Sequence, residues 1–113
     1  MNITALDPDL RKATARFFRV LGDPTRLKIV ELLSQGPQTV AEIVLVVGGT
    51  QSRVSTHLAC LKWCKFVDAR RDGRQMIYSL EDGEIYQLIE MAKSIAIHNQ
   101  NHLATCNRIG PDW

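Results

Sequence analysis

Residues 50–64 read TQSRVSTHLACLKWC and residues 66–80 read FVDARRDGRQMIYSL. In the first stretch Thr50 suits a helix N-cap. At about 100° per residue, Val54, Leu58 and Leu61 fall within roughly 60° of one another, the buried stripe of a helix running to about Cys64. Gln51, Ser52, Ser55 and Thr56 then face away from the core near the helix start. Hydroxyls and an amide there can bond base edges or phosphates, and the helix dipole attracts anions. Arg53 and His57 flank this face, although a hydrogen-bonded structural histidine is the plainer reading of His57. In the second stretch Phe66–Arg70 and Gln75–Leu80 flank Arg71-Asp72-Gly73-Arg74, where Asp72-Gly73 signals a tight hairpin. Arg70, Arg71 and Arg74 on that hairpin are placed to reach phosphates or a minor groove, or simply to be solvated.

Working upstream, Gly48-Gly49 is a turn, and Thr39–Val47 is a short apolar segment. Its β-propensity favours a strand, but its place between two helix signals predicts a short helix. Before it, Asp23 caps and Pro24 opens a helix with Leu27, Val30 and Leu33 on one stripe, ending near Gln35-Gly36-Pro37. The first helix carries Leu6, Leu10, Ala13, Phe17 and Val20 or Leu21 at three- and four-residue spacing. Downstream, Ile85, Leu88, Ile89, Ala92, Ile95 and Ala96 mark a last helix from about Asp82 that extends as far as Leu103. The order is four helices, a hairpin and a helix. This predicts a mainly α fold with a β-hairpin wing, a winged helix-turn-helix, occupying residues 1–113 as a single domain.

Charge agrees. The net +2 is unevenly divided: residues 1–49 sum to +1, residues 50–75 to +4 and residues 76–113 to −3. The positive charge sits on the helix and hairpin just described, a surface suited to a polyanion. No apolar run approaches the roughly 18–20 residues of a membrane span, and the first residues lack a signal-peptide pattern. A soluble, cytoplasmic protein without a membrane partner or an organic substrate is expected. The three cysteines, an odd number, then read as reduced thiols rather than a disulfide framework.

Three motifs in order, Leu21–Ile29 (LGDPTRLKI), Ser55-Thr56-His57-Leu58 with Leu61, and Gly73–Tyr78 (GRQMIY), resemble the ArsR/SmtB family of metalloregulatory repressors over roughly residues 10–85. The resemblance implies a homodimer through the first and last helices. It also implies binding to double-stranded operator DNA without metal and release when metal binds. Family members place their ligands differently. Thr39–Val47 lacks the Cys-x-Cys pair of one type. Asp82 and His98 match a second type, but Glu84 and Ile95 occupy its other two places, and an isoleucine cannot coordinate.

Cys60 and Cys64 remain, about 40° apart on one helix face, with Cys106 after the last helix. The phrase from Leu58 to Cys64 with a late third cysteine is similar to the CmtR-like, cadmium/lead-sensing branch of that family. That branch implies Cys60, Cys64 and Cys106 as ligands, the last from across the dimer. Trp63 and Lys65 depart from the branch, where smaller residues are common. Thiolates favour soft ions over Mg2+, Ca2+ or Mn2+, and the resemblance to that branch implies Cd2+ or Pb2+ first. Hg2+ and As(III) remain open, as does Zn2+ with a fourth ligand from His98 or His102. Other readings are an oxidant sensor using the same cysteines, a purely structural dimerisation module, and a thiol enzyme pairing Cys60 or Cys64 with His57. The last lacks a third, orienting residue.

Overall fold

The computed structural model describes residues 7–108. The elements are α1 (Pro8–Leu21), α2 (Pro24–Leu33), β1 (Gln38–Thr39), α3 (Val40–Val47), α4 (Gln51–Trp63), β2 (Val67–Asp72), β3 (Gln75–Leu80), α5 (Glu84–Ala96) and α6 (Gln100–Thr105). The helix starts follow from their caps. The Asp23 carboxylate accepts from the Arg26 N–H at 2.9 Å, with Pro24 in the first turn. Thr39 and Glu42 close a capping box at the head of α3, at 3.2 and 3.0 Å. That arrangement stabilises helix over the competing strand preference of the valine-rich segment. Gly48 (φ +83°, ψ 179°) ends α3 in a backbone region nearly reserved for glycine. Thr50 then caps α4 through the Arg53 N–H at 3.1 Å.

The core joins Ile29, Val30 and Leu33 of α2, Ile43 of α3, Val54, Leu58 and Leu61 of α4, Phe66 and Val67, and Ile85 and Ile89 of α5. Replacing Leu58, which is fully buried, by alanine would cost about 2–5 kcal/mol. Among the described residues, α1 has no fully buried side chain. Phe17, Val20 and Leu21 pack on the core while Leu10 and Phe18 stay exposed. No helix among these residues is long and apolar enough to cross a membrane.

Three details differ from the sequence expectation. Gln38–Thr39 forms a short strand on β3, giving an antiparallel sheet in the order β1-β3-β2. The hairpin register pairs Asp72 with Gln75, so the strands run past Arg70 and Arg71 and the two-residue turn is Gly73-Arg74, with Gly73 at φ +64°. The last helix is not continuous to Leu103. It stops at Ala96, and Asn99 (φ −120°, ψ 22°) leaves helical geometry before α6 begins. Leu6, placed on the first stripe by its spacing, lies outside the described residues.

Candidate nucleic-acid interface and thiol pair

Ser52, Ser55 and Thr56 of α4 are where the periodicity puts them, and Gln51 is exposed as the first residue of the helix. Gln51, Ser52, Arg53, Ser55 and Thr56 are exposed, whereas Val54, Leu58 and Leu61 are buried. The Thr56 hydroxyl donates to the Ser52 carbonyl at 3.0 Å, which leaves its oxygen lone pairs as acceptors for a ligand. His57 is different. It is half-buried, with Nδ1 4.0 Å from Asp23 Oδ2, so it ties α4 to the head of α2. Its partner lies 34 positions away, and no local signal in the sequence names it.

On the hairpin, Arg70, Arg71 and Arg74 are all exposed. Strand alternation puts Val67, Ala69 and Arg71 on one face and Asp68, Arg70 and Asp72 on the other. The first face begins in the core with Val67, so Arg71 is its distal continuation, while Arg70 shares its face with two carboxylates.

Cys60 is half-buried on α4 and Cys64 is the exposed C-cap of the same helix. The two thiols are close enough to hydrogen-bond. Burial, followed by the charge and hydrogen bond of Cys60, pushes the Cys64 thiol above its ordinary pKa, and the Arg26 guanidinium pulls the other way. Arg26 carries no site assignment from the sequence. Its side chain reaches back to the end of α1, donating from Nε to the Val20 carbonyl at 2.8 Å.

The end of α4 is a Schellman cap. Lys65 takes a left-handed backbone at φ +66°, its N–H donates to the Lys62 carbonyl at 3.1 Å, and the Phe66 N–H donates to the Leu61 carbonyl at 2.9 Å. Cys106 is exposed at the end of α6, and His98 and His102 are exposed. Among the described residues no three His, Cys, Asp or Glu side chains of one chain gather at a point that could hold a metal ion. The fold therefore brings Cys60 and Cys64 together, and among the described residues no third ligand-type side chain completes a metal cluster with them within a protomer.

A short helix, a glycine turn, a second helix with an exposed polar face and a basic antiparallel hairpin define a DNA-binding regulator of the winged helix-turn-helix class, not an enzyme. Residues 23–69 match the arsR family of bacterial regulatory proteins, and the chain belongs to that family. It is 47% identical over 96 residues to a probable mercury resistance operon repressor of Streptomyces lividans, covering 85% of this chain and 77% of that protein. It is 39% identical over 84 residues to the CmtR regulator of Mycobacterium bovis, covering 68% and 71%. Among solved structures, Rv0081 of Mycobacterium tuberculosis superposes with a TM-score of 0.77 at 34% identity, covering 88% of this chain and 99% of that one. The homodimeric winged helix-turn-helix domain of Mb0332 from Mycobacterium bovis gives 0.73 at 29% identity, covering 83% and 87%.

Proposed function

We propose that two copies of this chain join through α1 and α5, hold operator DNA with α4 and the hairpin, and let go when a thiophilic metal ion binds Cys60 and Cys64. The single observation carrying this reading is that two adjacent thiols lie at the C-terminal end of the helix whose first turns expose the polar residues suited to DNA. Dimerisation is supported by the apolar surface on those two helices. A groove of about 270 Å³ runs between Phe18, Leu21, Leu27, Leu88, Ile89 and Ala92, and Met91 and Ile95 are exposed on α5. A small domain gains stability by covering such a surface. The homodimeric state of the Mb0332 domain points the same way.

Cys106 is the third thiolate in this reading, supplied across the dimer, with His98 or His102 as a further ligand for Zn2+. A thiophilic ion supplies sulfur–metal bonds that fix the Cys60 and Cys64 side chains to one another and to the tail. Two recognition helices must meet half-sites about 34 Å apart or a multiple of it, so a small change in the pose of α4 weakens the grip. Linkage requires the reverse effect as well: DNA lowers ion affinity by the same factor.

Cd2+ or Pb2+ is the effector where all three thiolates take part. Hg2+ is a second reading, favoured by the pairing of Cys60 and Cys64 without Cys106, since mercuric ion forms stable two-sulfur complexes. The name of the Streptomyces lividans relative supports it too. The test is a titration of reduced protein with each ion, following thiolate-to-metal ultraviolet absorption and release of a duplex selected from random DNA by the metal-free protein. Cys60→Ser should hold the duplex and ignore the ion. Cys106→Ser should abolish the Cd2+ and Pb2+ response and leave an Hg2+ response intact. Saturating ion that leaves duplex affinity unchanged overturns the proposal.

A further inference from the structure

We infer that the stacked pair Phe17–Phe66, anchored by the left-handed Lys65 cap, is the joint through which the end of α4 sets the pose of α1. The inference rests on the proposed function, because it names the route by which ion capture at Cys60 and Cys64 reaches the dimer helices.

Cys64 closes α4, and Lys65 and Phe66 follow it directly. Lys65 is the only non-glycine residue with positive φ among the described residues, at a cap position where glycine is usual. Its two cap hydrogen bonds, Lys65 N–H to Lys62 and Phe66 N–H to Leu61, fix the backbone between Cys64 and Phe66. That ring is 3% exposed and lies 4.7 Å from the Phe17 ring at 29°. Phe17 in turn meets Phe18 edge-on at 5.6 Å and 88°, and Phe18 lines the apolar groove assigned to the partner. A continuous run of bonded or packed groups therefore connects Cys64 to the outer face of α1.

The connection has consequence because α1 has few other ties. None of its described side chains is fully buried. Besides Phe17, Val20 and Leu21, which pack on the core, it is held by Arg26, which donates to the Val20 and Arg19 carbonyls at 2.8 and 3.5 Å. Aromatic rings in a close-packed interior transmit displacement rather than absorb it, so a shift at Cys64 turns Phe66 and carries α1 with it. Phe17, Phe66 and Lys65 are positioning residues in this account. None touches the ion or the DNA.

The test separates binding from coupling. For wild type, Phe17→Leu and Lys65→Val, three quantities are measured: ion affinity by thiolate-to-metal absorption, duplex affinity without ion, and the ratio of duplex affinities without and with saturating Cd2+ or Hg2+. Leucine keeps an apolar side chain but removes the stack, and β-branched valine disfavours the left-handed backbone and so loosens the cap. Both variants should keep the first two quantities within about twofold of wild type and lower the ratio by about tenfold, inside the range of known coupling factors. If Phe17→Leu fails to fold, Lys65→Val alone decides. A folded variant that binds ion and releases DNA as wild type does overturns the inference and leaves the proposed function standing. A wild-type ratio of one overturns both.

Discussion

His57 Nδ1 on α4 lies 4.0 Å from Asp23 Oδ2 at the head of α2, and the same Asp23 oxygen accepts the Arg26 backbone N–H at 2.9 Å. One carboxylate thus caps α2 and steadies α4. The two duties are separable by substitution. Asp23→Asn keeps a capping oxygen and loses the charge facing His57, whereas Asp23→Ala loses both. Loss of a cap costs about 0.5–2 kcal/mol, so Asp23→Ala should melt about 4–8 °C lower for each kcal/mol lost. Asp23→Asn should melt close to wild type. Equal melting temperatures for the two variants, both below wild type, would mean that the contact with His57, not the cap, carries the stability.

Gly48 tests the turn that sets α3 against α4. A Cβ built there meets nothing within 4 Å, so steric clash with neighbours is not an issue. The backbone itself is the obstacle, at φ +83° and ψ 179°. Gly48→Ala should therefore destabilise the fold by about 1–3 kcal/mol in a urea titration, with the urea dependence of stability unchanged. A neutral result would show that the turn relaxes freely and that the angle between α3 and α4 is not held by this glycine.

Much of this architecture is readable locally, and the reasons differ by element. Asp23-Pro24, Thr39 with Glu42, and Thr50 are short-range caps, visible in a window of four residues. The Val54, Leu58 and Leu61 stripe is equally local, and with it comes the exposure of Gln51, Ser52, Ser55 and Thr56. The β1 strand is not readable, because Gln38 and Thr39 owe their conformation to Tyr78 and Ile77 across the sheet. Ile29 is fully buried although it sits off the Leu27–Val30–Leu33 stripe. The reason is that α2 is contacted by α1, α3, α4, α5 and β3, and a helix surrounded on several sides buries a wider arc than one stripe. At the site, the proximity of Cys60 and Cys64 follows from helix periodicity, and the His57–Asp23 contact does not. The relation of Cys106 to the pair is of a third kind, since in the proposed dimer it is set by a second chain.

The raised pKa of the Cys64 thiol gives two pH effects of opposite kind. Ion binding needs the thiolate, so protons leave as the ion enters, and apparent affinity should climb as pH rises through the neutral range. Unbuffered protein should acidify on addition of Cd2+. For the metal-free fold the sign reverses. A pKa higher in the folded than in the unfolded chain means that the fold prefers the protonated thiol. Its stabilising contribution is present below the unfolded value and is lost as pH rises through the folded one. Cys64→Ser should flatten that alkaline decline. An unchanged decline in the serine variant would assign it to other groups.

The hairpin makes the sharpest distinction among the candidate DNA contacts. Each cation that neutralises a phosphate contributes about −0.9 to the slope of log affinity against log salt. Arg74 stands in the turn, and Arg71 lies at the far end of the face that begins at Val67. Asp68 and Asp72 flank Arg70 on its own face, each about 7 Å away along the strand, and partly offset its charge, so it has less to offer a phosphate. Arg71→Ala and Arg74→Ala should each reduce the magnitude of the salt slope by about one unit and weaken every duplex alike. Arg70→Ala should leave the slope nearly unchanged. Gln51→Ala should behave in the opposite manner, altering which duplex is preferred with little effect on the slope, because an amide reads base edges rather than charge. Equal slopes for all three arginine variants would mean that the wing turns both faces toward the backbone, and that Asp68 and Asp72 do not govern which arginine meets it.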